Sequence, residues 1–436
     1  MEKFHAKLFQ SINELLLNSN VIDFYRDNDK AFVRNRKLPF QKVVHIILQL
    51  LKSSVKSELK TLFSTLNSTD EVVNWVTDSA FCKARQKLKH SIFIDLYKAV
   101  VSLFYSCIKG EHWFGHRLLA VDGSCINLPS SDELRMHFGT HHINSIGTEI
   151  PQARVSYMYD VLNSITIDAQ IESYKIGEQE MLSSHLNLLD KNDLLTADSN
   201  YGHFRFIKEI ASSEAGYCIR LSQSSNFIKS FLASGEKDAV LEWHPSYGTK
   251  TNCLANNIDP SPFTIRLVRV DLSDDEVEVL GVSLLDQDGY DYQSIIELYN
   301  LRWGVEEEFK KTMQRLQIEF FSSFKLNGLL QDFFANIFMQ NIVSVLIEPV
   351  KGEITEASKS LKYARKANWT SALTDVRKRL VLLFMRGKDQ VDRILISLWE
   401  SFKTNTEPIR PGRKFRRDKR KKGAGRKAFM QYKPAM

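Results

Sequence analysis

Two short apolar runs each close on an aspartate: RLLAVD (117–122) ends in Asp122, and DLLTAD (193–198) ends in Asp198. Small, turn-forming residues follow both, Gly123 in one case, Ser199 and Asn200 in the other. A carboxylate at the end of a buried strand stands at the rim of a sheet, where a neighbouring strand can set a second acid beside it. A third acid, Glu306, falls in YQSIIELYNLRWGVEEEFKKTMQRLQ, whose spacing predicts a long helix from Tyr292. Three converging carboxylates form a site for two hard divalent cations, about 3.5–4 Å apart in such centres. Mg²⁺ or Mn²⁺ suits an all-oxygen ligand set. Ions so held activate a water or a 3′-hydroxyl and stabilise the leaving oxygen of a phosphodiester. Taken singly, each acid reads more simply as structural, since a turn aspartate after a strand is common.

The elements that must position these acids can be read from the period of the apolar residues. Residues 1–110 read as helical, as in KVVHIILQLLK and SIFIDLYKAVVSLFY, with Pro39 where a helix would start. In SAFCKARQKLKH (79–90), helical spacing puts Lys83, Lys87 and His90 on one face and Arg85 and Lys89 on an adjacent one. Such a helix fits a DNA contact through Arg85 and Lys87, or a solvated face. From residue 117 the period becomes strand-like. ARVSYMYD and SITIDAQIES alternate like antiparallel neighbours joined near Asn163, and DLLTAD and GYCIRLS are further strands separated by helices. This order is α/β, with an antiparallel hairpin opening a mixed sheet. FTIRLVRVDL and EVEVLGVSLLD follow a polar Gly/Pro stretch and read as a β-rich insertion apart from that sheet. The apolar helix LLQDFFANIFMQNIVSVLIE would cover a sheet face, and residues 351–408 are mixed helical. His141 and His142 read as loop residues, since tandem rings do not readily share one ion.

The chain has 436 residues, 43% apolar and 25% charged, enough for two to four domains with a large core. No run of about 18 uninterrupted apolar residues argues for a membrane span, and the first residues do not read as a signal peptide. Five scattered cysteines without C-x-x-C spacing predict reduced, buried thiols in a cytoplasmic protein. Net charge is +7, unevenly spread: +6 over residues 1–111, −10 over 112–409 and +11 over 410–436. A basic front and tail suit a protein gripping a polyanion at both ends, and an acidic middle suits divalent cations.

The strings AVDGSCINLPSS, HFG, PQARVSYMYDVLNSITIDAQI, LLTADSNYGHF, YCIRLS, VLGVSLLD and YNLRWGVEEEFKK occur in this order. Together they resemble insertion-sequence transposases of the DDE superfamily, in the branch named for its Tyr–Arg–Glu–Lys (YREK) signature. The likeness runs from about residue 34 to about 345. It implies a ribonuclease H-like catalytic fold holding a β-rich insertion, preceded by an N-terminal helical domain and followed by a basic C-terminal tail. On that pattern residues 1–110 bind DNA ends, and 111–222 and 285–350 form the catalytic domain around an insertion at 223–284. Residues 351–408 are then a helical region and 409–436 the tail. The resemblance implies Asp122, Asp198 and Glu306 as catalytic metal ligands for two Mg²⁺ or Mn²⁺ ions. Tyr299 and Arg302 would contact phosphates, and their i, i+3, i+7 spacing with Glu306 puts all three on one helix face. Core packing is the plainer role for Tyr299. The signature lysine position is Met313; Lys310, four residues after Glu306, faces the same way and can stand in, or can simply pair with Glu306 or Glu307.

Implied partners are transposon-end and target DNA, with two protomers, a homodimer, acting across a paired complex in the nucleoid-associated cytoplasm. A DNA hairpin at the element's end is also implied. A catalytically silent, transposase-derived repressor or inhibitor is the rival reading, for which Met313 speaks and the three acids do not.

Overall fold

The structure, a computed structural model, describes residues 2–34, 37–49, 54–67, 76–143, 148–273, 276–310 and 315–410. Among the described residues the first elements are the helices α1 (Glu2–Leu17), α2 (Ser19–Tyr25), α3 (Phe40–Leu48), α4 (Val55–Asn67), α5 (Asp78–Arg85) and α6 (Ser91–Cys107). Then come β1 (Arg117–Asn127), α7 (Asp132–Phe138), β2 (Thr140–Ile143), β3 (Thr148–Asp160) and β4 (Ile165–Ser173). Alternation follows with α8 (Glu178–Leu186), β5 (Asp193–Ala197), α9 (Phe204–Ala211) and β6 (Gly216–Leu221). The next stretch holds α10 (Asn226–Ser234), β7 (Asp238–Trp243), α11 (Tyr247–Ala255), β8 (Phe263–Ser273) and β9 (Glu276–Val282). Last are α12 (Tyr292–Leu301), α13 (Trp303–Lys310), α14 (Leu326–Ala357), β10 (Arg365–Ala367), α15 (Trp369–Met385), α16 (Lys388–Thr404) and β11 (Thr406–Pro408).

Two compact units result: residues 1–109, 126–153 and 311–436 form the first, and 110–125 with 154–310 the second. The first is built around α14, which packs against α3, α6, α15 and α16. Nearly every α14 side chain from Gly328 to Leu346 is buried, Gln331, Asn336, Gln340 and Asn341 included. The expectation that this helix covers a sheet face is thus corrected: it is the core of a helical unit, apolar all round because helices surround it. By length and composition α14 would pass for a membrane span, but 78% of its most apolar window is buried in the fold.

In the second unit the strand order is β4-β3-β1-β5-β6-β9-β8-β7. β1, β5 and β6 are parallel, and β9, β8 and β7 continue the sheet antiparallel from β6. β3 pairs with β1, the Val161 N–H donating to the Leu118 carbonyl. The segment expected to stand apart from the sheet instead extends it, because β9 pairs with the open edge of β6 from Cys218 to Leu221. An unpaired edge would leave backbone groups unsatisfied, and β9 covers it. β1 also runs five residues beyond Asp122: Gly123, read as turn-forming, stays extended, and Ile126 and Asn127 are buried further along the same strand. His141 and His142 lie on β2, not in a loop. Of the five cysteines only Cys218 and Cys253 are buried.

Candidate active site

Asp122 and Asp198 are brought side by side by strand register. β1 and β5 pair in parallel with Arg117 opposite Asp193 and Ala120 opposite Thr196, so the same register carried two residues further sets Asp122 alongside Asp198. Asp198 lies just past the end of β5, where its carboxylate accepts the Asn200 N–H at 2.8 Å in an Asx turn. Asp122 sits within β1, half-buried, and its carboxylate accepts the Gly123 N–H at 2.9 Å. Burial pushes the Asp122 carboxyl up to about 6; the negative charges of Asp198 and Glu306 add to this, while the Gly123 N–H and Arg302 oppose it. These influences place Asp122, Asp198, Glu306 and Arg302 in one electrostatic neighbourhood.

The third acid is delivered by helix packing. α12 docks Ile295, Leu298 and Tyr299 onto a core made of Leu118, Leu194, Cys218, Val268, Leu280 and Val282. Burying each such aliphatic side chain is worth about 1.5–3 kcal/mol, so the helix is held firmly on the sheet. The single long helix expected from Tyr292 is interrupted at Arg302, whose N–H bonds back to Tyr299 O and Asn300 O. The turn tightens there without losing its direction. Arg302 Nη2 still donates to Glu306 Oε1 at 3.1 Å, and the guanidinium lies 5.5 Å from the Tyr299 ring centre. Tyr299, Arg302 and Glu306 therefore share a face, as their spacing predicts. A side chain at Gly304 would come 2.6 Å from Val161 Cγ1, so this position lets α13 approach the turn after β3. Tyr299 is buried, its hydroxyl has no hydrogen-bond partner among the described residues, and its pKa is pushed up to about 12, mainly by burial.

Four neighbours escaped the sequence reading. Glu178, at the start of α8, packs so close to Gly123 that an added Cβ there would lie 2.6 Å from its Cγ. It accepts from Arg154 Nη1 at 2.7 Å and from Asn200 Nδ2 at 3.4 Å. Tyr201, 0% exposed, has no partner for its hydroxyl among the described residues; burial, then the charges of Glu178, Asp122 and Asp198, raise its pKa well above the ordinary value. Arg220 on β6 donates to Ser199 Oγ at 3.2 Å and pairs with Glu278 at 2.5 Å. Arg154, Tyr201 and Arg220 lie within the strings that carry the resemblance, but nothing in their spacing announces a shared site. Glu178 reads as an ordinary acid in a helix's first turn.

Lys310 closes α13, but its side chain, like Lys311 and Met313, lies outside the described residues. Arg85, in the first unit, is not offered to a polyanion: it is 1% exposed, and its guanidinium bonds Gln331, Ser322, Gly328 O and Asp332. The helix expected over 79–90 ends at Arg85, because Leu88 bridges to Arg26 and turns the chain away. Lys87 is exposed in the turn that follows. Most of the basic tail also lies outside the described residues.

Among the described residues no three His, Cys, Asp or Glu side chains are drawn together closely enough to hold a metal ion. Each of the three acids instead leans on a local donor: the Gly123 N–H, the Asn200 N–H or Arg302. The donor set still fits a hard cation, since it is all carboxylate oxygen. The mutual repulsion felt at Asp122 is also what a divalent charge neutralises.

The chain is similar to transposase InsG for insertion sequence element IS4 of Escherichia coli (strain K12), 22% identical over 296 residues. That stretch is 66% of this chain and 65% of the relative, slightly less than two thirds of its length. Among solved structures, the cryo-EM structure of a piggyBac transposase synaptic complex with hairpin DNA matches at 11% identity and a TM-score of 0.40. That match covers 91% of this chain and 82% of the other. The family model described as the transposase DDE domain matches residues 113–342, more than half of the chain and all of the strands and helices that carry Asp122, Asp198 and Glu306, and the chain belongs to that family of transposases.

Proposed function

We propose that the chain cuts and joins the DNA ends of an insertion sequence, with Asp122, Asp198 and Glu306 as its catalytic acids. The observation that carries this reading is the gathering of Asp122, Asp198, Glu306 and Arg302 in one electrostatic neighbourhood, where burial first and the two other acids after it raise the Asp122 carboxyl. The sheet order β4-β3-β1-β5-β6 supports a ribonuclease H-like core. The Tyr299, Arg302 and Glu306 face supports the YREK branch. The three carboxylates would hold two Mg²⁺ or Mn²⁺ ions, which when bound supply an activated water or 3′-hydroxyl and stabilise the leaving oxygen. Arg302, buried and bonded to Glu306 with its guanidinium 5.5 Å from the Tyr299 ring centre, carries a planar fork that would suit a phosphate beside the scissile bond once DNA displaces the Glu306 contact. Arg220, which donates to Ser199 Oγ, adds a second cation in the neighbourhood of Asp198. Transposon-end and target DNA are the partners, engaged by a homodimer in the DNA-bound complex, in the nucleoid-associated cytoplasm and without a membrane. Lys310 takes the place of the signature lysine, and Lys87 and the basic tail add phosphate contacts.

The test is nicking of a duplex carrying the element's terminal repeats in Mg²⁺. Asp122→Ala, Asp198→Ala and Glu306→Ala each abolish nicking while leaving end binding intact, because folding does not need an unneutralised acidic cluster. Near-normal nicking by any one removes that residue from the site. Tight end binding without nicking by the unaltered protein would favour the silent, repressor-like reading.

A further inference from the structure

Behind Asp122 the apolar interior of the second unit is crossed by a chain of polar side chains. Asp168 on β4 accepts from, or pairs with, His185 Nδ1 on α8 at 2.9 Å. His185 Nε2 lies 2.9 Å from Ser156 Oγ on β3, and Ser156 Oγ reaches the backbone carbonyl of Asp122 at 3.4 Å. Gln170 steadies the far end, donating to Asp168 Oδ2 at 3.4 Å and to Met181 O at 3.2 Å. Three bonds thus tie β4, α8 and β3 to the one β1 residue that carries a catalytic acid.

The order Asp–His–Ser is that of a hydrolase's nucleophile relay. Burial rules that role out here. Ser156 and His185 are both 0% exposed, so no substrate carbonyl can reach the hydroxyl. A buried polar chain of this kind is costly to build, and apolar side chains of similar volume would fill the same space without that cost. What it supplies is direction. Ser156 Oγ stands within hydrogen-bond distance of both His185 Nε2 and the Asp122 carbonyl, and its hydroxyl can donate to that carbonyl. Fixing that carbonyl fixes the peptide from which the Asp122 side chain departs. The same α8 that holds His185 begins with Glu178, which packs against Gly123, the residue after that peptide.

We infer that Ser156, His185 and Asp168 are positioning residues: a buried hydrogen-bond chain that sets where Asp122 presents its carboxylate to a divalent cation. The inference rests on the reading of Asp122 as a metal ligand. Outer partners that orient a ligating group commonly change metal affinity 10–100-fold when removed.

Mn²⁺ binding to the full chain without DNA, followed by electron paramagnetic resonance, tests this independently of cleavage. Asp122→Ala serves as the reference and should lose binding. Ser156→Ala should remain folded by circular dichroism, bind Mn²⁺ about tenfold more weakly, and need correspondingly more Mg²⁺ for half-maximal nicking. Ser156→Thr, which keeps a hydroxyl, should recover most of the affinity. Should Ser156→Ala fail to fold, Asp168→Asn makes the same test at nearly unchanged volume. Loss of binding in Asp122→Ala with unaltered binding in Ser156→Ala and Asp168→Asn overturns the positioning role alone. Equal weakening by Ser156→Ala and Ser156→Thr assigns the effect to packing and also overturns it. Unaltered binding in Asp122→Ala removes the metal-site reading, and this inference with it.

Discussion

Arg85→Met replaces a guanidinium that is 1% exposed and donates to four acceptors. Its Nε bonds Gln331 Oε1 at 2.9 Å, Nη1 bonds Ser322 Oγ at 2.7 Å, and Nη2 bonds Gly328 O at 2.8 Å and Asp332 Oδ1 at 3.0 Å. Methionine fills part of the volume but leaves the Asp332 carboxylate, 8% exposed, without its counter-charge. Breaking a buried pair from one side costs about 3–5 kcal/mol, far more than the 0–1 kcal/mol of a surface pair. Asp332 keeps the Ser322 N–H and hydroxyl, which places the expected loss toward the lower end of that range. The double variant Arg85→Met/Asp332→Leu removes both charges and should recover most of the loss, since apolar replacement of a whole buried pair is often neutral. Urea unfolding followed by helical circular dichroism measures both, alongside affinity for a random-sequence duplex. A loss below about 1 kcal/mol together with a tenfold drop in DNA affinity would refute the argument and return Arg85 to the DNA-binding surface.

Three further outcomes follow from the geometry. Gly202→Ala puts a Cβ 2.2 Å from the Arg220 carbonyl oxygen, a backbone atom that cannot move aside. The loop after Asp198 must shift from β6, at a cost of about 1–3 kcal/mol and most of the nicking activity; wild-type unfolding and nicking would show the loop to be slack. His45, buried and stacked 4.8 Å from the Phe384 ring, has its pKa lowered to about 3 by burial. The unfolded chain takes up a proton below about pH 6.5 that the folded state refuses, so stability falls with acid from there to about pH 3, by at most about 1.4 kcal/mol per pH unit. His45→Phe should flatten that slope, and an unchanged slope in urea midpoints between pH 6.5 and 4 would assign it to other groups. Deleting residues 410–436 removes twelve Lys/Arg and one Asp. The salt dependence of non-specific DNA affinity should flatten by up to about 0.9 in log–log slope for each phosphate that the tail neutralises; an unchanged slope means the tail touches no phosphate.

The class of chain and the three candidate acids were legible in the sequence. Strand and helix periods, residues closing apolar runs, and the i, i+3, i+7 face of Tyr299, Arg302 and Glu306 are all local properties, fixed by backbone geometry over a few residues. Only the tertiary structure decided the rest. Gly123, read as turn-forming, stays extended within β1, and Ile126 and Asn127 are buried further along the same strand. Whether β7, β8 and β9 stand apart or continue the sheet depends on the open edge of β6, a partner remote in sequence from β9. Arg85 reads as a surface cation because charge is counted along one helix. It is a core residue because Gln331 and Asp332, some 246 positions away, close around it. Glu178, Tyr201 and the Ser156–His185–Asp168 chain meet Asp122 only through strand pairing and helix docking. Contacts of that range are set by which faces are buried together, and no spacing within a single segment records them.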